Sequence, residues 1–314
     1  SGWDAANEGY LRYGETNPVG MPAGDPYDCA AGVSHWFIHD VGDSAYLDID
    51  ADQYKTMYNP AEGFEVTCEA PGIDYRGLKM VGNPYYENYD WRDAEIENVT
   101  DNQTVGIEQA ATNGWVSGYA YTWDITNQNY NMVNFQATAI DNYTLYPWDG
   151  FWIEQLISNK ELRIHFSPDG GDNIPPKGRY LVDDNNWKLN LQVRCAGGNF
   201  NDIHNCLGVM DGSINGYDAN DAFEMAPLEQ FVQILFPHPE WGMQTALFSY
   251  DYRSSFTGEK NWDFSFRSHE LPNQTFTITW PNIGEIPEHY SFTLINTDNN
   301  TVIGNMRQIS SYQV

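Results

Sequence analysis

Basic residues are scarce in this chain. Its 314 residues include 15 Lys and Arg against 44 Asp and Glu, a formal charge of −29. That field repels a phosphate backbone and an anionic membrane surface alike, so nucleic acid is not expected as a partner. Long apolar runs are missing as well: no stretch of about 18 apolar residues occurs, and no membrane insertion is expected. Uninterrupted Leu/Ala/Glu/Lys stretches are absent, so helices should be few. Cysteine is limited to Cys29, Cys68, Cys195 and Cys206. None lies in a C-x-x-C pair or at zinc-finger spacing from a histidine, which argues against structural zinc. Signatures of catalysis are lacking too. Ser34, in Gly32-Val33-Ser34-His35-Trp36, has no second glycine to make a nucleophile elbow, and no H-E-x-x-H occurs. His35 and His39 read as polar surface histidines rather than ligands. A glycosidase pair of carboxylates could arise by chance among so many acids, and the sequence does not pick one out. No catalytic residue is assigned, and the chain is not expected to be an enzyme.

What the sequence does contain is aromatic and turn-forming. Aromatic residues make up 15% of the chain, with 11 Trp and 21 Tyr, and charged residues only 19%, so a packed core rather than an acidic disordered tail is expected. Aromatic and β-branched runs separated by Asn, Asp, Gly and Pro predict an all-β protein of short strands. Residues 1–30, rich in Gly and Pro, read as an extended arm, and residues 31–74 as a small β unit. Residues 75–168 read as a β-sandwich-like domain with strands expected in the runs Leu78–Tyr85, Gly118–Asp124, Tyr146–Ile153 and Leu162–Phe166. A helical turn is expected at Ile107–Ala111. The stretch 167–176, ending in Pro175-Pro176, reads as a linker. Residues 177–314 form a second sandwich, with period-2 strands beginning at Trp187, Phe231, Trp262, Phe276 and Tyr290 and a hairpin turn at Thr297–Asn300. The chain starts at Ser1 and shows no leader, which fits an exported and processed extracellular protein.

The segments LKMVGNPYYENYDW, YAYTWD and YPWDGFWIEQ, followed by WKLNL, NCLG, WDF, FTITW and YSFTLIN, resemble the C-terminal β-sandwich modules of large secreted, sorting-domain-bearing surface proteins of Bacteroidetes-type bacteria. The resemblance covers roughly residues 75–314. It implies tandem Ig-like sandwiches and a surface, adhesion or matrix role. Cys195 and Cys206 depart from the pattern.

Several residues are candidates for binding or assembly. An even cysteine count in an exported chain predicts two disulfides, and of three connectivities the local one, Cys29–Cys68 with Cys195–Cys206, is favoured over free thiols. The loop from Asp211 to Asp221 offers Asp211, Asn215, Asp218, Asn220 and Asp221 as oxygen donors for calcium, with Asx turns as the alternative. Asp48, Asp50 and Asp52 share one face of a strand, where a solvated face is the simpler reading. Sequons at Asn98, Asn102, Asn142, Asn273 and Asn299 could accept glycans. Tyr85, Tyr86, Tyr89, Trp91, Tyr146 and Trp148 could stack on sugar rings or pack in the core. The arm, with Trp3, Tyr10, Leu11 and Tyr13, could add a strand to a neighbour. The expected function is a non-enzymatic extracellular structural protein that assembles with copies of itself into a fibre, sheath or surface layer. The alternative is a module that binds extracellular glycans.

Overall fold

A computed structural model describes residues 2–4, 9–11, 63–72, 76–83, 85, 88–136, 142–146, 149–166, 182–198, 200–227, 230–242, 246–256 and 258–314. Strands dominate it, as the composition leads one to expect. Two compact units result, one made of Ser1–Thr122 with Val133–Lys177 and the other of Trp123–Met132 with Gly178–Val314.

In the first unit, β1 (Gly2–Asp4) and β2 (Gly9–Leu11) pair as an antiparallel hairpin with Trp3 opposite Tyr10. This part of the arm is therefore paired with itself, because two short runs joined by four residues close more readily than either reaches a distant edge. Tyr13, Asp48, Asp50, Asp52, His35 and His39 lie outside the described residues. In chain order the elements that follow are β3 (Phe64–Thr67), β4 (Gly77–Gly82), β5 (Tyr89–Asp90), β6 (Glu95–Asn98), β7 (Gln103–Gly106), the helix α1 (Ile107–Thr112), β8 (Tyr119–Asp124), β9 (Asn129–Asn134), β10 (Thr144–Leu145), β11 (Gly150–Gln155) and β12 (Leu162–Phe166), of which the end of β8 and the start of β9 fall in the segment Trp123–Met132 that the division above counts with the second unit. They build two four-stranded sheets, ordered β4-β11-β8-β9 and β3-β12-β6-β7, with β5 and β10 as a separate pair. Strict alternation decides what each strand buries. In β12, Leu162, Ile164 and Phe166 are buried while Arg163 and His165 face outward. The inward rings join the sheets: Phe151 of β11 lies 6.2 Å from Phe166 and 5.8 Å from Trp91. The Trp91 indole donates to Gly118 O at 3.0 Å. Gly118 is needed there, since a Cβ would stand 2.2 Å from the Phe135 ring.

The second unit contains β13 (Trp187–Cys195), β14 (Asn201–Val209), β15 (Ala222–Phe223), β16 (Phe231–Pro237), β17 (Leu247–Arg253), β18 (Ser265–His269), β19 (Phe276–Thr279), β20 (Thr293–Asn296), β21 (Thr301–Asn305) and β22 (Ser311–Gln313). Seven strands run in the order β18-β16-β17-β14-β13-β19-β22, with β15 also on β17. The β14–β17 pair is parallel. An immunoglobulin sandwich instead divides antiparallel strands between two sheets. Strand β13 alternates as its sequence predicts, burying Trp187, Leu189, Leu191, Val193 and Cys195. Strand β16 buries five consecutive residues, Val232–Phe236, and is covered on both faces.

The Cys195–Cys206 bridge does not form. Cys206 lies opposite Asn190, whereas Cys195 is five residues further along β13 and faces Phe276. Five residues of strand span about 17 Å, far beyond the Cα separation a disulfide tolerates. Half of the segment expected as a loop between them, residues 201–205, belongs to the second strand of a long hairpin. Cys195 and Cys206 are buried free thiols, hydrogen-bonded to Gln274 Oε1 and Asn190 Oδ1 at 3.5 and 3.0 Å. Cys68 is free and buried as well, its thiol pushed up to about 12 by burial. The proposed partner of Cys68, Cys29, lies outside the described residues.

Candidate functional site

The Asp211–Asp221 loop is closed by its own hydrogen bonds. Backbone N–H groups of Ile214 and Asn220 donate to Asp218 Oδ2 and Oδ1 at 2.7 and 2.8 Å. Those of Asp218 and Tyr252 donate to Asp221 Oδ2 and Oδ1, both at 2.9 Å. The Asn220 amide donates to Ser213 Oγ at 2.7 Å. Asn215 Oδ1 accepts from Lys260 Nζ at 2.6 Å and from Ser254 Oγ at 3.1 Å. Asp211 has an exposed side chain, and its N–H donates to Asn186 Oδ1 at 3.0 Å. The side-chain oxygens of three of the five expected donors, Asn215, Asp218 and Asp221, thus accept from different partners, and a cation already faces one of them. Burial, reinforced by neighbouring Asp218, raises the Asp221 carboxyl well above its ordinary range.

Behind this loop the second unit buries more ionisable groups. Asp251 of β17 is fully buried. It accepts from Arg253 Nε and Nη2 at 2.8 and 2.6 Å and meets His238 Nε2 at 3.0 Å. The D-x-R spacing puts both side chains on one face of the strand. His238 Nδ1 faces Glu240 Oε1 at 2.7 Å, and the imidazole stacks on Trp241 with ring centres 3.7 Å apart. Burial alone would lower the His238 pKa, but the two carboxylates lift it above the ordinary value. Burial would likewise raise Asp251, yet His238 and Arg253 hold it below the usual range. Both ring nitrogens of this imidazole are thus engaged, and one face is covered by the Trp241 ring. Nearby, Glu224 is buried and accepts from the Ser249 hydroxyl and the Gln233 amide. Gln233 in turn accepts from Arg267 Nε at 2.9 Å. Burial, then the neighbouring Asp202, pushes Glu224 well up. Asp202 accepts from Ile234 N–H at 2.7 Å. Sequence reasoning missed these clusters: Asp202 and Asp251 lie on β14 and β17, strands that it did not identify, and Glu224 directly follows the two-residue strand β15.

Two surface features differ from this interior chemistry. On the outward face of the first unit, His165 Nε2 lies 3.0 Å from Glu97 Oε2, and Nδ1 lies 3.8 Å from Glu65 Oε2. Among the described residues this is the one group of three or more His, Cys, Asp or Glu whose ligand atoms all lie within 4.8 Å of one another. In the second unit, β20 and β21 form a ribbon that pairs with no other strand among the described residues. Asn300, at φ 53°, makes the turn. The ribbon's base is anchored. Arg307 donates to the carbonyls of Tyr290, Ile283, Ile286 and Pro287 at 2.9 to 3.1 Å, and the Trp280 indole donates to Met306 O at 2.7 Å. Its outer part exposes a directly paired Ile295 and Val302, 49% and 63% accessible.

The remaining candidates separate cleanly. Asn98 is fully buried and its amide is engaged with Asp101 at both ends, so it cannot carry a glycan in the folded chain. Asn102, Asn142, Asn273 and Asn299 are exposed. Tyr89 and Trp91 are core residues, and Tyr85 stacks on Tyr89 at 5.4 Å while its hydroxyl donates to Phe166 O at 2.7 Å. These three rings are structural rather than a sugar platform. Tyr146 is exposed, and Tyr86 and Trp148 lie outside the described residues.

Comparison with protein-family models, with curated proteins and with solved structures gives no match. The secreted surface-module resemblance therefore rests on the sequence segments that carry it.

Proposed function

We propose that the chain is a non-enzymatic extracellular structural or surface protein that associates with copies of itself. The observation that carries this reading is the anchored β20–β21 ribbon with its exposed Ile295–Val302 pair. An unpaired two-stranded ribbon leaves backbone donors and acceptors on both edges, a template for strand addition. Apolar side chains directly opposite one another on such a ribbon add contact area where charge is low. The anchoring by Arg307 and Trp280 lets the ribbon be presented without first being ordered. A non-enzymatic role is supported by the buried ionisable groups, each spent on a structural partner. The resemblance to modules of secreted surface proteins supports an extracellular role, although the second unit's large sheet, with its parallel β14–β17 pair, departs from the Ig-like sandwich that the resemblance implies. The N-terminal hairpin with Trp3, Tyr10 and Leu11 is the second connector on this reading.

A charge of −29 opposes self-association, so assembly should need salt within the Debye regime or divalent cations. The test is sedimentation and electron microscopy of the protein over a range of concentration and salt. Ordered polymers are expected, and Ile295→Lys with Val302→Lys should abolish them without changing the circular dichroism spectrum. A wild-type protein that stays monomeric at high concentration and salt defeats the proposal. Polymerisation of the double variant at the wild-type rate removes the ribbon as the contact.

A further inference from the structure

We propose that the outward face of the β3–β12–β6 sheet is a site for a divalent transition metal, with His165, Glu97 and Glu65 as its protein ligands. Three observations converge. The first is the donor set. One imidazole and two carboxylates suit zinc and its neighbours in the first transition row, whereas calcium and magnesium prefer oxygen donors alone. The second is convergence. One ligand atom from each of the three residues lies within 4.8 Å of the other two. A tetrahedral ion with bonds of about 2.0–2.2 Å holds its ligand atoms roughly 3.5 Å apart, so rotation of the glutamate side chains by about 1 Å closes the set around one ion. Three protein ligands leave at least one position for water.

The third is support. Each ligand comes from a different strand, His165 from the central β12 and the glutamates from its two neighbours. His165 lies directly opposite Glu65 on one side and Glu95 on the other, and Glu97 is the diagonal neighbour, opposite Arg163. The inward residues of the same strands, Val66, Ile96, Leu162, Ile164 and Phe166, are buried. The ligands therefore stand on a packed sheet rather than on loops, which holds their geometry.

The charge around the site favours a cation. Glu65, Glu95, Glu97 and Glu161 face it, with Arg163 as the counterion on β12. Arg163 lies 3.0 Å from Glu161 Oε1 and 3.7 Å from Glu65 Oε1. Its contact with Glu161 leaves the glutamates around His165 in excess. The spacing was visible in the sequence as Glu95-Ile96-Glu97 and Arg163-Ile164-His165. Each places two side chains on one face of a strand.

The experiment is calorimetric titration of the untagged full-length chain with zinc chloride in a non-chelating buffer containing excess magnesium and calcium. One zinc per chain is expected. His165→Ala and Glu97→Gln should each weaken binding about tenfold or more. Glu65→Gln should weaken it too, and His269→Ala, at an exposed histidine of the second unit, should leave it unchanged. Circular dichroism on each surface variant verifies folding. Zinc displaced by magnesium or calcium, or bound equally well by the His165→Ala protein, overturns the proposal. So does the absence of a saturable site.

Discussion

The two units bury carboxylates by different means. In the first, each buried carboxylate among the described residues is matched by an arginine. Arg76 reaches Glu154 through Nε and Nη2 at 2.7 and 2.6 Å, and Arg92 holds Asp90 in a like fork. In the second, Asp251 has Arg253 and His238, but Asp202, Asp221 and Glu224 are held largely by neutral donors: backbone N–H groups, a hydroxyl and an amide. An arginine fork keeps a buried acid ionised by supplying charge. Neutral donors satisfy its oxygens without offsetting the desolvation, so the acid favours its protonated form. The difference makes one unit sensitive to losing a partner and the other sensitive to pH.

The sharpest way to break this comparison is to remove one cation and one neutral donor and compare the losses. Arg76→Ala leaves Glu154, 4% accessible, buried without a counter-charge. Such a change typically costs about 3–5 kcal/mol. Ser249→Ala removes one neutral donor from Glu224 and should cost about 1–3 kcal/mol. Chemical denaturation followed by hydrogen exchange, which resolves the units, measures both. Equal losses would show that the arginine pairing has no special weight.

The next effect is pH dependence of the second unit. Glu224, Asp221 and Asp202 have folded values raised above their unfolded ones, Asp202 to about 6, chiefly by burial. The stability linked to them is present in acid and lost as pH rises through the folded values. His238 is raised and acts in the same direction, its contribution fading as it deprotonates. Asp251 acts oppositely: its value is held low, and its contribution disappears only as pH falls through that low value. The second unit should therefore melt at a higher temperature near about pH 5 than near about pH 8, at roughly 1.4 kcal/mol per unit of pKa displacement before solvent screening. In the first unit Asp93, half-buried and raised to about 6 by burial and then by Asp90, adds a smaller slope of the same sign. Glu224→Gln should flatten the second unit's profile and raise its melting temperature at the alkaline end. A profile that does not change places the pH response elsewhere.

These clusters also mark where the sequence was legible and where it was not. Strands with an apolar face announced themselves: β4, β8, β12, β13, β16 and β19 all begin within a residue or two of their expected positions, and β11 begins at Gly150, four residues into the run expected from Tyr146. The helix α1 was expected at Ile107–Ala111 and spans Ile107–Thr112. The strands β14 and β17 were not visible. In β14, Asn201-Asp202-Ile203-His204-Asn205 reads as a polar turn, yet Asp202 and Asn205 are buried. Period-2 reasoning assumes that polar residues point outward, and a strand covered on both faces breaks that assumption. The mistaken disulfide followed from the same omission. The Asp211–Asp221 loop was legible as a cluster of oxygen donors, but not in its hydrogen-bonding: Tyr252 N–H, 31 residues away, and Lys260 come from parts of the chain that no local pattern connects.

The cysteines give a smaller and cleaner test. A bridge closing a ten-residue loop would contribute about 2–3 kcal/mol. Two buried free thiols contribute only the packing of a small side chain, so Cys195→Ala and Cys206→Ala should each cost about 1 kcal/mol. Burial raises both thiols above their ordinary value, and little thiolate is available to react. Iodoacetamide should label neither residue until the chain is unfolded, and non-reducing peptide mapping should recover Cys195 and Cys206 unlinked. Recovery of a linked peptide would require a different β13–β14 register.

The smallest expected effect concerns calcium at the Asp211–Asp221 loop. Calcium needs several oxygens turned toward one point. Here the oxygens of Asp218 and Asp221 accept from backbone N–H groups, and Asn215 accepts from Lys260. The Lys260 ammonium also lies 4.9 Å from the Phe256 ring centre, so the lysine is held from two sides. Burial depresses its pKa, and Arg253 adds to the effect, but it remains the cation nearest the loop's amide oxygens. If it stands where a metal would otherwise be needed, calcium and EGTA should give the wild-type protein the same melting temperature. Lys260→Met keeps the aliphatic stem and removes the charge. It should cost less than about 1 kcal/mol, as a partly exposed charged contact usually does, and millimolar calcium should restore part of the loss. A wild-type protein whose melting temperature falls in EGTA would mean that the loop rearranges around an ion and that Lys260 is not its cation.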